Sequence, residues 1–249
     1  RDVGGGFAEY MVAHKSQVFP VPKGVSPEAA TLTEPFAVGI QTVLDNRPEE
    51  KDRVLVIGGG VIGTMIVKAI RGLGIGCTIT VVEPAAFNAE YVRRSGADHV
   101  VPGGIIDAAL KMTGAVVYKP MLGERIVQGG FDRVFDTVGH SDTLQQALIV
   151  TAGSGVVSLV GIGRTITLDP TPLWLKVQAI KGCYGYAYND TPSGRKHAFE
   201  IALELVQSGR VQVEDMLTHS FPIEGYRELI EVSMNKSAHR AVKTAVRFV

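Results

Sequence analysis

Residues 53–63, Arg53-Val54-Leu55-Val56-Ile57-Gly58-Gly59-Gly60-Val61-Ile62-Gly63, pass from an apolar, β-branched run into spaced glycines and then into a second apolar stretch. A run that is apolar at every position, as over 54–57, suits a strand buried on both faces, the situation in a parallel sheet. Gly58 permits a tight turn out of that strand. Gly60 has no Cβ, so a pyrophosphate can approach the backbone, and Gly63 lets the next helix lie close to the sheet. That helix, expected over 61–72, presents its free N–H groups and positive dipole end to the phosphates from Val61 and Ile62 onward. In a chain with 29 glycines the spacing alone is weak. Its context strengthens it: Thr78-Ile79-Thr80-Val81-Val82 is a second β-rich run, and Glu83 stands at its end. A strand, glycine turn, helix, strand and terminal acid in this order is the pattern of a dinucleotide-binding fold.

Glu83 also bears on which dinucleotide is bound. Its carboxylate can accept hydrogen bonds from both hydroxyls of the adenosine ribose, whereas a 2′-phosphate would meet a like charge. At ~4 Å that repulsion is about 1 kcal/mol in water and about 4 kcal/mol at an intermediate dielectric. The expectation is therefore NAD over NADP, by a factor between a few-fold and a thousand-fold. Neither Asn88 nor the other residues just after Glu83 supply a cation, and Arg93 and Arg94 read as a solvated helix face.

From Arg53 the chain alternates strand-like and helix-like segments. Strands are expected near 53–57, 78–82, 98–101, 132–136, 155–160 and 178–182, and helices near 61–72, 86–95, 104–112, 140–150 and 192–208. This predicts an α/β fold, a doubly wound, parallel, six-stranded Rossmann-like sheet. Thr191 as cap, Pro192 as first residue and Gly209 after the end punctuate the last of these helices. Ahead of the sheet, residues 6–21 read as edge strands of a β-rich region. Ser26 caps a helix that begins at Pro27, and Pro35 breaks or kinks the helical stretch running to Leu44. After the sheet come a helix near 223–235 and a strand near 241–248. Segment 115–130 reads as an insertion, with a small strand at Val116-Val117-Tyr118, either on the surface or near the cofactor or a subunit contact.

With 25 basic and 25 acidic residues among 249, nothing favours nucleic acid or a membrane surface. No apolar run is long enough to span a bilayer. Cys77 and Cys183 are far apart and read as buried apolar fillers in strands, and a cytoplasmic setting is expected. The chain opens at Arg1 directly in a strand-like pattern and reads as a piece of a longer protein.

Six motifs, in order, carry a family resemblance: Gly5-Gly6-Phe7-Ala8-Glu9-Tyr10, Glu34-Pro35-Phe36-Ala37-Val38, the glycine turn, Ser95-Gly96-Ala97-Asp98-His99-Val100, Phe131-Asp132-Arg133-Val134-Phe135-Asp136-Thr137-Val138-Gly139, and Val156-Val157-Ser158-Leu159-Val160-Gly161. The chain resembles the later part of the medium-chain, zinc-dependent alcohol and polyol dehydrogenases. The resemblance implies that 1–40 ends a truncated GroES-like catalytic domain, 41–211 forms the NAD-binding domain and 212–249 returns to the catalytic domain. It implies that Val138 and Gly139, with Val160, Gly161 and Ile162, line the nicotinamide half of the cofactor site. It implies zinc in the full-length protein. His14, His99, His140, His197, His219 and His239 show no i, i+3 or i, i+4 pair and there is no C-x-x-C, so no intact zinc site is expected in this chain. Glu34 matches an acid beside the zinc, where it either ligates the metal or hydrogen-bonds its water. Arg240 and Lys243 read as solvated rather than as pyrophosphate ligands, and His140 as a helix start rather than an acid–base group.

The implied reaction is oxidation of a small-molecule alcohol to a carbonyl compound with hydride transfer to NAD, this chain supplying the cofactor half and showing little turnover alone. The alternatives are a zinc-free enone or quinone reductase of the same superfamily, against which Glu83 and the glycine turn argue, a non-catalytic NAD-binding module, and an unrelated doubly wound protein that puts the glycine turn to another nucleotide, which the ordered motifs disfavour. Homo-oligomers are usual in the family, and 166–180 is the region implied to pair.

Overall fold

Six parallel strands carry the fold, in a computed structural model that describes residues 6–119, 121, 126–163 and 165–248. They are β1 (Arg53–Ile57), β2 (Thr78–Val82), β3 (His99–Val101), β4 (Phe131–Asp136), β5 (Thr151–Leu159) and β6 (Ala179–Gly182). Their spatial order is β3-β2-β1-β4-β5-β6, as expected for a doubly wound sheet. β1 is central: Leu55 lies opposite Thr80 of β2 on one side and Val134 of β4 on the other. The strand order reverses at β1, and the connections leaving β1 and β4 part there, opening a crevice at the carboxyl ends of these two strands.

The helices are α1 (Pro27–Thr31), α2 (Thr33–Asp45), α3 (Val61–Gly72), α4 (Ala86–Arg94), α5 (Ile105–Thr113), α6 (Ser141–Val150), α7 (Thr171–Leu175), α8 (Ala198–Gln207), α9 (Tyr226–Met234) and α10 (Lys236–His239), and α2, α3 and α8 cover one face of the sheet and α5 and α6 the other. The two-residue period of β1 divides the core. Val54 and Val56 pack with Phe36 and Ile40 of α2, Ile66 and Ile70 of α3 and Ala202 of α8. Leu55 and Ile57 pack with Ala108 and Ala109 of α5 and Leu144 and Leu148 of α6. Ser26 caps α1, accepting from Ala29 N–H at 3.1 Å. The helical stretch breaks at Leu32, and Pro35 falls in the first turn of α2, where a missing N–H costs nothing.

Several expectations are corrected. Residues 6–21 form no strand; their one regular element is the 3-10 turn Lys15–Gln17, and no described strand lies alongside to pair with them. The stretch read as a helix from 192 instead closes a hairpin, Tyr188–Thr191 against Gly194–His197. Thr191-Pro192 signals a turn as readily as a helix start, and Gly194 adopts φ +107° to complete it. Cys77 and Cys183 are buried but lie just outside β2 and β6 rather than in them. The insertion does contain a strand, Val116–Tyr118, paired with Ile126–Gln128. Gly5 of the first motif and residues 120 and 122–125 of the insertion lie outside the described residues. Near the end of the chain, Leu217–Pro222 pairs with Lys243–Arg247 in parallel. No helix among the described residues is long and apolar enough to cross a membrane.

α8 starts at His197, whose Nδ1 accepts from Phe199 N–H at 3.3 Å while Glu200 accepts from His197 N–H at 2.6 Å. Phe19 stacks on the imidazole at 4.6 Å, with Tyr186 and Tyr188 edge-on. Burial in this box holds the imidazole below its ordinary 6.5, the Glu200 carboxylate opposing the shift. The unfolded chain thus binds the proton first, and stability falls as the pH drops through 6.5 toward the lowered folded value. His197→Asn keeps an N-cap acceptor without a titrating group. Wild type is expected to lose melting temperature relative to this variant between pH 7 and 5, read by thermal unfolding at each pH.

Candidate functional site

The glycine turn leaves β1 at the crevice. Gly58 has φ +93°, and its N–H donates to Val82 O at 2.9 Å. Thr137, at the end of β4, donates its hydroxyl to Ile57 O at 2.8 Å and so pins the turn from the other side. A Cβ on Gly63 would fall 1.9 Å from Gly58 O, so α3 can press on the turn only because that residue is glycine. Gly60, the N-cap of α3, is different: a Cβ there would meet nothing within 4 Å. The backbone therefore faces open space where the first N–H groups of α3 converge, while the side chains of Val61 and Ile62 turn back to the core. An unfilled cradle of backbone donors at a helix N-terminus fits a pyrophosphate.

Glu83 is 6% exposed, and both its oxygens are engaged. Oε2 accepts from Gly59 N–H and Oε1 from Ala85 N–H, each at 2.7 Å. The carboxylate thus clasps the glycine turn to the start of α4, and each oxygen keeps a further lone pair for a ribose hydroxyl. Gly59 has its own reason to be glycine, since a Cβ there would lie 3.0 Å from Glu83 Cβ.

The other predicted segments meet at the same place. Val138 Cγ2 lies 3.1 Å from where a Gly58 Cβ would be, and Gly139, at φ +72°, packs so closely on Gly161 that a Cβ would fall 2.1 Å from its carbonyl oxygen. Asp136 builds this arrangement, and the sequence reading gave it no role. It is wholly buried, and Oδ1 accepts from Val138 N–H at 3.0 Å and Gly139 N–H at 3.1 Å. Oδ2 accepts from the Thr143 hydroxyl at 2.9 Å, and the backbone carbonyl accepts from Val160 and Gly161 N–H at 2.9 and 3.0 Å. An acid closing a strand three residues before a glycine was the available signal. Ile162 follows at 80% exposure, a free apolar surface beside this junction. An open cleft of about 300 Å³ continues past it, lined by Gly139, His140, Ser141, Asp142, Thr165 and Ile166. His140 is the N-cap of α6, as expected.

Glu34 is exposed on the first turn of α2, and among the described residues no three His, Cys, Asp or Glu side chains converge as a metal site would require. The described residues therefore do not by themselves fit a zinc ion. Arg240 ends α10 with φ +52°, and its guanidinium lies 5.1 Å from the centre of the Phe87 ring on α4.

Residues 61–208 match the sequence pattern of the family described as zinc-binding dehydrogenase. The sorbitol dehydrogenase of Arabidopsis thaliana is 27% identical over 220 residues, covering 88% of this chain and 56% of its own length. Among solved structures, the 2R,3R-butanediol dehydrogenase of Bacillus subtilis superposes with a TM-score of 0.79 at 24% identity, covering 99% of this chain and 65% of that one. An alcohol dehydrogenase from Escherichia coli CFT073, complexed with NADH, does so with a TM-score of 0.80 at 21% identity, covering 98% and 66%. The chain thus spans a little over half the length of the Arabidopsis protein.

Proposed function

This chain belongs to the zinc-binding dehydrogenase family, and from that premise we propose that it is the cofactor-binding portion of an NAD-dependent alcohol or polyol dehydrogenase, oxidising a small-molecule alcohol to a carbonyl compound. The observation that carries this reading is the crevice itself: an open backbone at Gly60, an acid, Glu83, bonded to the glycine turn, and the 137–139 and 160–162 segments gathered by Asp136. A bound nicotinamide would accept the hydride. The chain's part is to hold it: the α3 N-terminus and glycine turn take the pyrophosphate, Glu83 the adenosine ribose, and the backbone of 138–139 and 160–162 the nicotinamide end.

Zinc enters this reading through the family alone. Glu34 is carried as its one candidate contact in the chain, as ligand or as partner of a metal-bound water. The division at 40/41 and 211/212, a homo-oligomer formed through 166–180, and a cytoplasmic setting without nucleic-acid or membrane partners belong to the same proposal. In support of the oligomer, Trp174 and Val177 stand 78% and 76% exposed beside the edge strand β6.

Calorimetric titration with NADH and NADPH tests the reading. NADH is expected to bind more tightly, by a few-fold or more, given the like-charge penalty at Glu83. Glu83→Gln is expected to narrow that gap, because the 2′-phosphate then meets an amide. It is also expected to weaken both ligands, because the amide NH2 only donates and leaves either the Gly59 or the Ala85 N–H without its acceptor. Binding of neither dinucleotide by the wild type would overturn the reading. Equal binding would restore the zinc-free reductase alternative.

A further inference from the structure

Glu83 would repel a 2′-phosphate, and the residues that follow it in sequence offer no cation to offset this. The fold supplies one from the far end of the chain. Arg240 lies over the face of Phe87, which sits in the first turn of α4, two residues after Ala85, whose N–H is held by Glu83. The guanidinium makes no ion pair among the described residues, and it is exposed. Residues 236–243 include Lys236, His239 and Lys243 as well, and no acid. The position is also unusual in its backbone. Arg240 is one of three non-glycine residues with positive φ among the described residues, in a conformation that glycine fills without strain. A guanidinium over an aromatic ring, with no hydrogen bond from it among the described residues, is suited to a phosphate, which it can take through two parallel hydrogen bonds.

We propose that Arg240 is a specificity-determining residue for the adenosine half of the nucleotide, its guanidinium on Phe87 serving the 2′-phosphate of a phosphorylated dinucleotide that Glu83 alone would reject. The proposal rests on the dinucleotide reading above and refines it. Glu83 sets a preference for NAD, and Arg240 limits how strong that preference is.

The test is titration of the whole chain with NADH, NADPH, 2′-AMP and 5′-AMP, for wild type and Arg240→Gly. Glycine suits the backbone at this position, so the substitution removes the cation and leaves the turn intact, checked by a melting temperature within about 2 °C of wild type. Loss of one charge-assisted phosphate contact is expected to weaken NADPH about tenfold or more, with NADH changed by less than about twofold. 2′-AMP is expected to weaken with NADPH, and 5′-AMP to stay unchanged. If NADH and NADPH weaken by the same factor, Arg240 serves a part common to both and the proposal is wrong. It is equally wrong if neither changes. A wild type that binds neither dinucleotide overturns the underlying reading, and this proposal with it, before any variant is compared.

Discussion

Replacing Gly63 with alanine is expected to cost about 3 kcal/mol of stability, at the upper end for forcing a methyl group into a packed site. The new Cβ would lie 1.9 Å from Gly58 O and 3.0 Å from Gly58 C, so it meets backbone rather than a side chain that could rotate away. The turn has little freedom to yield, because Gly58 N–H is bonded to Val82 O and the Thr137 hydroxyl holds Ile57 O from the opposite side. For a chain of this size the melting temperature should fall by about 6–12 °C. NADH affinity should fall as well, because α3 can avoid the clash only by lifting its N-terminus off the turn. Gly60→Ala is the control that separates the two effects. Its Cβ would point into open space, so the melting temperature should change by no more than about 2 °C, as expected for a glycine cap replaced by alanine. NADH binding should nevertheless weaken, because the methyl group occupies the path of the pyrophosphate. Thermal unfolding and NADH calorimetry on the two variants check both halves. Equal loss of stability in both would count against the geometry of the turn.

Asp136→Ala is the second large effect, again about 3 kcal/mol. It leaves the Val138 and Gly139 N–H groups facing a cavity with no acceptor, while the Thr143 hydroxyl can still donate to His140 O at 3.1 Å, and each orphaned buried group costs roughly 1–3 kcal/mol. These donors tie the end of β4 to the start of α6, so the 137–139 loop should loosen and NADH should bind more weakly. Asp136→Asn should be milder, near about 1 kcal/mol, since its amide oxygen can still accept from both backbone donors. Urea unfolding midpoints order the three proteins as wild type, asparagine variant, alanine variant. An alanine variant as stable as wild type would show that Asp136 does not build the loop.

The glycine turn, the alternation of strands and helices and the place of Glu83 were legible because each rests on neighbours in sequence. A run of apolar β-branched residues, a glycine at a forced φ and an acid one residue past a strand are local constraints, and local chemistry satisfies them. Residues 192–197 complete a hairpin rather than extend α8, a choice the sequence leaves open because Thr191-Pro192 begins a turn and a helix by the same restriction of φ. What decided between them was Gln41 of α2, which accepts from Ala187 N–H at 2.9 Å and donates to Asn189 at 3.1 Å, holding the segment extended. Residues 6–21 carry strand-like composition, but a strand exists only with a partner, and none lies beside them among the described residues.

The sequence by itself determined the central sheet, the glycine turn at the end of β1 and the acid one residue past β2. Only the tertiary structure decided that Asp136 would gather two strand ends at one point, that Glu83 would clasp Gly59 to Ala85, and that Arg240 would come to rest on Phe87. The physical reason is distance along the chain. A strand's period or a turn's glycine is written in adjacent residues, whereas a carboxylate shared among loops or a cation carried back from the last segment acquires its role only when packing brings its partners within bonding range.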